Sequence, residues 1–529
     1  MLPESIASLR NIPRILEEGA AVHPRRPALV FGSLRIDYKT AWEKSCRITR
    51  HLVESIGIKP GERVALLADN APEFVYAYFG ILRAGGIVVP VNHMFKREEI
   101  RYILEDSGSR CLLTTPAYQG ACENLCVMIE QLAHVVCIPH LLQQEDAPLG
   151  PPAGLQPGPQ DTAVFLYTSG TTGRPKAAML RHCNLLANVA SSARAVRVTP
   201  RDTVICFLPL FHSFAATVCM LMPLACGAKT VIMKSPRPIR RLLRALRRNN
   251  VTILVGIPSL YSILKDIHFS PAGARRLLRL ILPGRLLTGR LRLAISGAAA
   301  LPVDVFKKFE ARFGIPLLEG YGLTEASPVV SLNPLKGPRR PGSIGLPLPD
   351  VKTRIVDENG RECPTGVVGE LTVKGPNVMS GYYRRPDDNQ EVLREGWLST
   401  GDMARVDADG YLYIMGRKKE MVNVRGLNVY PREIEEVLYR HPAVREAAVI
   451  GIPDPHKGEV PKGFVVLKTP GAATEHDIIA YLKEHLADYK VPRRVALREN
   501  LPKNAAGKIL KRLLEEEEMR PAAGQKKDR

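Results

Sequence analysis

The chain has no C-x-x-C pair among its ten cysteines, which excludes a zinc ribbon and a thioredoxin-like redox motif. Its amino-terminal stretch, MLPESIASLRNIPRILEEGA, lacks an apolar run: Glu4, Arg10, Arg14 and Glu17 break it up, so it does not read as a secretory signal. Reduced thiols in the cytoplasm are the expectation, with Cys206 and Cys219 as small core residues. No Asp, Glu, Lys or Arg occurs in residues 204–228, which is long enough to cross a bilayer. Pro209, Pro223, His212 and Ser213 interrupt that stretch, and proline inside a helix costs about 3 kcal/mol. A buried strand, turn and helix is the better reading. No internal repeat is visible.

What is present points to a soluble protein of more than one domain. The chain has 529 residues, 45% hydrophobic and 24% charged. Basic residues dominate, and the net charge is +21. Polyanions are the natural partners of such a surface. Two clusters, residues 237–248 (RPIRRLLRALRR) and 275–292, interleave arginine with leucine at helical spacing. They are solvated helix faces or docking sites for an acidic lipid surface or nucleotide phosphates. Neither contains the aromatics of a single-strand platform, so no nucleic-acid partner is expected.

Apolar runs at 63–67, 86–91, 162–167, 230–233, 251–255 and 292–295 alternate with helical patterns such as 72–83. This predicts an α/β fold with largely parallel sheets. After about Arg339, short strands separated by Gly- and Pro-rich turns predict a smaller β-rich portion. A second shift follows Gly416. Helices at 431–439 and 475–486 and strands at 447–451, 463–467 and near Val495 predict a small α+β domain. The charge-rich residues 515–529 are expected to be frayed.

Residues 167–176, YTSGTTGRPK, follow an apolar strand pattern. Two glycines and four Ser/Thr hydroxyls can offer N–H and O–H groups to phosphate oxygens, and Lys176 adds a charge. The spacing is not that of a Walker A loop. By chemistry alone, an ordinary Ser/Thr/Gly turn is an equal reading. The segment resembles the phosphate loop of the adenylate-forming superfamily, which includes acyl-CoA synthetases, peptide-synthetase adenylation domains and firefly luciferase. Residues 319–328 (EGYGLTEASP), 399–402 (STGD), 416–426 (GRKKEMVNVRG) and 501–508 (LPKNAAGK) are similar to its other signatures, in the same order.

The resemblance implies a large N-terminal domain, 1–416, of layered α/β sheets plus a distorted β-barrel. A hinge at 417–420 would lead to a small mobile α+β domain, 421–514, and a flexible tail, 515–529. It implies that ATP activates a carboxylic acid as acyl-AMP, and that coenzyme A then takes the acyl group. Thr168, Ser169, Gly170, Thr171, Thr172, Gly173 and Lys176 would cradle phosphates. Glu325, with Thr168, would hold Mg2+, and Thr324 would bond the α-phosphate. Gly297, Ala298 and Tyr321 would hold adenine, Asp402 and Arg417 the ribose. Lys508 would reach the reacting carboxylate and α-phosphate, Lys419 would serve as the hinge, and Gly426 would leave room for pantetheine. His212 would stand at the junction of acyl and CoA channels, as a gate rather than a base. Many relatives carry lysine where this chain has Asn423, so no role of that lysine transfers.

Adenylation domains for amino acids set an acidic residue against the substrate ammonium; residues 204–228 supply none. Phe211, Phe214, Ala215, Val218, Met222, Ile257, Val329 and Val330 make an apolar pocket the expectation. The segment resembles fatty acyl-CoA synthetases most, so a medium- or long-chain fatty acid is the expected substrate. An aryl or short-chain acid, or a carrier-protein phosphopantetheine as acceptor, is the alternative. Peripheral contact with an anionic membrane and a homodimer complete the expected partners.

Overall fold

The computed structural model describes residues 3–6, 8–143, 156–168, 174–267, 289–425, 427–454, 458–504 and 507–519. The first sheet has six strands in the order His134–Cys137, Ser109–Thr114, Arg63–Leu67, Ile87–Pro90, Thr162–Thr168 and Lys176–Arg181. Its pairs are parallel except the last, where Thr168 stands opposite Lys176 in an antiparallel ladder. Thus the two ends of the phosphate-loop candidate are clamped together.

A nine-stranded sheet runs Leu346–Pro347, Val329–Leu332, Leu317–Gly322, Leu293–Ser296, Ile253–Gly256, Thr203–Cys206, Lys229–Ile232, Pro27–Phe31 and Leu34–Asp37. Parallel central strands are flanked by antiparallel ones. Three of the central strands are buried along their whole length. That is why they read as continuous apolar runs rather than alternating patterns. Their carboxyl ends lead toward His212, Ile257 and Gly297, the edge where open α/β sheets gather ligand residues.

The first sheet splits its side chains by parity. Val64, Leu66, Val88 and Val164 join the core shared with the large sheet, while Ala65, Leu67, Val89 and Phe165 face a second core with Ile100, Ile103 and Leu112. The uncharged residues 204–228 form a buried strand followed by helices Ala215–Leu221 and Met222–Ala225. No described helix is long and apolar enough to cross a membrane.

The β-rich portion is a five-stranded antiparallel sheet of Lys352–Val356, Gly369–Lys374, Trp397–Val406, Leu393–Arg394 and Leu412–Arg417. The small lobe centres on the hairpin Val444–Asp454 and Gly458–Leu467, covered by helices Pro431–Arg440 and Glu475–His485. Val422, Ile434, Leu438, Val465, Ile478 and Leu482 give it a core of its own.

One expectation changes and another holds in part. Residues 515–519, read as the start of a loose tail, complete the helix Lys511–Met519. Leu514 is buried, and Glu517 and Glu518 pair with Arg498 and Lys462, both at 2.5 Å, so the acidic run is fastened to the lobe. The basic stretch 237–248 does contain a helix, Ile239–Arg248, with Leu242 and Leu246 turned inward. Most of the second cluster lies outside the described residues; Arg292, partly exposed, pairs with Asp202 at 2.8 Å.

Candidate active site

A cavity of about 1470 Å³ opens between the lobes. It brings together Thr168, Lys176, His212, Gly297, Ala298, Tyr321, Thr324, Glu325, Arg417 and Lys508, which the sequence scatters over more than three hundred residues. Ser169, Gly170, Thr171, Thr172, Gly173 and Gly426 lie outside the described residues. Thr324 and Glu325 sit on a single helical turn, Thr324–Ala326, placed just after the strand Leu317–Gly322. The Met379 N–H donates to the Glu325 carbonyl at 2.8 Å, fixing the turn on the β-rich portion.

Lys508 reaches this cavity from the small lobe. Asn504 organises its turn: Asn504 Oδ1 accepts from the Lys508 N–H, and the Asn504 N–H donates to the Lys508 carbonyl, both at 2.9 Å. Gly507 adopts a left-handed φ of +77° and rests on Ile257 of the large lobe. The Lys508 side chain remains open to the cleft, although protein encloses it on most sides. That enclosure, and then Arg417, lower its pKa from the usual lysine value.

Asp402 is almost fully buried and both its oxygens are engaged. Arg417 Nε lies 2.8 Å from Oδ1, and the Tyr321 hydroxyl donates to Oδ2. A ribose hydroxyl would share or replace these charge-assisted bonds. With its hydroxyl tied down, Tyr321 lines the cavity. The Phe214 ring lies against Gly297, where a β-carbon would come within 2.8 Å of it.

His212 is oriented by the Phe214 N–H, which donates to Nδ1 at 3.3 Å and leaves the proton on Nε2. Burial, and then Lys508, push its pKa down to about 4. It is a neutral imidazole at physiological pH and a weak proton acceptor, which fits a gate better than a base.

Three contributors escaped the sequence reading. Tyr382 donates to Glu325 Oε1 at 2.8 Å, and Asp388 is ion-paired with Lys176. Both come from SGYYRRPDDN, a segment between the quoted signatures whose partners lie far away in the chain. Glu319 opens the EGYGLTEASP signature but points under the small lobe. It accepts from the Leu301 N–H at 2.9 Å, and Arg432 is 3.9 Å away. Burial raises its pKa to about 7.

No group of three or more His, Cys, Asp or Glu able to hold a metal occurs among the described residues. One carboxylate, Glu325, with the Thr168 hydroxyl, nevertheless suits magnesium, which keeps few protein ligands and binds through substrate phosphates.

Comparison with known proteins agrees with this geometry. Residues 16–383 match the AMP-binding enzyme family and residues 433–508 its AMP-binding enzyme C-terminal domain. A long-chain-fatty-acid–CoA ligase of Yersinia pestis is 36% identical, covering 96% of this chain and 95% of that one. The ATP-bound crystal structure of MatB from Rhodopseudomonas palustris superposes with a TM-score of 0.87 at 31% identity, covering 96% of this chain and 99% of that one. O-succinylbenzoate coenzyme A synthetase from Bacillus subtilis, in complex with ATP and a magnesium ion, superposes with a TM-score of 0.82 at 28% identity, covering 95% and 99%. With the signatures gathered around one cleft and both lobes matched, the chain belongs to the AMP-binding enzyme family, among its adenylate-forming acyl-CoA ligases.

Proposed function

We propose that the chain joins a medium- or long-chain fatty acid to coenzyme A. The acid displaces pyrophosphate from ATP to give acyl-AMP, and the thiol of coenzyme A then displaces AMP. One observation carries the choice of acid. Besides His212 and Gly297 the cavity lining includes Val218, Met222, Val329, Leu332 and Leu348, and residues 204–228 bring no acidic group. Each buried CH₂ is worth about 0.8 kcal/mol, so affinity should climb with chain length until the cavity ends.

The chemistry asks two anions to meet, so the site must align them and lower their repulsion. Lys508 sets a cation where charge develops on the acyl carboxylate and the α-phosphate, and Thr324 and Lys176 orient the phosphates. Glu325 and Thr168 would hold magnesium, which supplies neutralisation of phosphate charge when bound. Tyr321, Gly297 and Ala298 would receive adenine, Asp402 and Arg417 the ribose. The small lobe, pivoting at 417–420, would then withdraw Lys508 and bring Gly426 toward the pantetheine.

Pyrophosphate release, measured with saturated acids from acetate to stearate, tests the reading. An optimum at the long end supports it. Turnover confined to aryl or short acids, or thioester made only on a holo-carrier protein, would replace it.

We further infer a cytoplasmic enzyme that touches anionic membrane. On the helix Ile239–Arg248, Arg240, Arg241, Arg244, Arg247 and Arg248 are exposed and meet no carboxylate among the described residues. Cosedimentation with phosphatidylglycerol vesicles, weakening as salt rises, is the expected behaviour.

A further inference from the structure

Tyr382 links the two sides of the phosphate end of the cleft. Its hydroxyl donates to Glu325 Oε1 at 2.8 Å, and Lys176 Nζ lies 5.7 Å from the centre of its ring. The ring is held in place through its own backbone. The Tyr382 N–H donates to Asn389 Oδ1 at 2.6 Å, and the Tyr382 carbonyl accepts from Asn389 Nδ2 at 3.0 Å. Asp388, next to Asn389 on the helix Pro386–Val392, takes the ion pair with Lys176. A phenol keeps its proton at physiological pH, so the hydroxyl is a donor to the carboxylate.

Glu325 and Lys176 carry opposite charges and line the same cavity. Paired with each other, they would close the place that a phosphate-bound cation needs. Instead Asp388 occupies the lysine and the tyrosine hydroxyl occupies one carboxylate oxygen. A carboxylate tied through one oxygen turns the other outward in a defined direction, as the outer partners of metal ligands do.

We propose that Tyr382 is a positioning residue that orients Glu325 toward the divalent cation carried by the nucleotide phosphates. The proposal rests on the reading of Glu325 as the magnesium ligand. It concerns ground-state binding of the metal nucleotide rather than the bond-making step.

The test is calorimetric titration of the full chain with ATP over a series of magnesium concentrations. Wild type, Tyr382→Phe, Glu325→Gln and the double variant are compared. Tyr382→Phe should raise the magnesium concentration for half-maximal ATP binding about 10-fold, the scale seen when the partner of a metal ligand is lost. Metal-free ATP binding and the melting temperature should not move. In the Glu325→Gln background the same substitution should add nothing. An unchanged magnesium requirement, or an equal shift in both backgrounds, would overturn the role of Tyr382. If the wild-type chain binds ATP at no magnesium concentration, the reading of the site itself fails instead.

Discussion

Gly507 lies so close to Ile257 that a β-carbon at position 507 would come within 2.4 Å of the isoleucine Cδ1. Because its φ is also positive, alanine there is strained before any clash is counted. The contact seats the Lys508 turn against the large lobe. Gly507→Ala should therefore slow adenylate formation about 10-fold or more while leaving thioester formation from supplied acyl-AMP near wild type. Pyrophosphate release and acyl-CoA formation, assayed separately, check it.

Lys508→Ala should show the same asymmetry more strongly. Removing a cation from a developing charge costs on the order of 10²-fold or more in the first half-reaction. Transfer from supplied acyl-AMP should survive. Equal loss in both half-reactions would contradict the placement of Lys508 in the cleft.

His212 gives a pH prediction. With its pKa near 4, it stays a neutral imidazole throughout pH 6 to 9. His212→Ala should slow thioester formation by reshaping the channel, yet leave the pH at which the rate reaches half its plateau unchanged. A shift of that midpoint would assign His212 a proton-transfer role.

Glu319 makes stability depend on pH. Its folded pKa of about 7 exceeds the ~4.3 of an unfolded glutamate, so the folded state binds the proton more tightly. Its contribution is fully present below about pH 4.3 and is lost as pH rises through 7. Glu319→Gln should remove this loss. Relative to wild type, the variant should gain on the order of 2–3 kcal/mol between pH 5 and pH 8, read from denaturant midpoints.

The layered α/β plan was legible because fully buried strands are written as unbroken apolar runs; the predicted helix at 72–83 matches Pro72–Arg83 residue for residue. The small lobe was legible from its own alternation of elements. The acidic tail misled because its charge suggested solvent, whereas Lys462 and Arg498 offer it partners brought in by the hairpin and its neighbour. Glu325, Arg417 and Lys508 could be singled out through their signatures. Tyr382 and Asp388 could not, since each gains meaning only from a partner 57 or 212 positions away.

Arg417 stands opposite Asp402 in the ladder between Leu412–Arg417 and Trp397–Val406, so it is stitched to the large lobe. Lys508, by contrast, belongs to the small one. Any swivel beginning at Lys418 would carry one cation out of the cleft and leave the other behind. The adenylate, once formed, would thus be parted from the lysine that helped to make it, while its nucleoside end would keep Arg417 beside it until the thiol arrives.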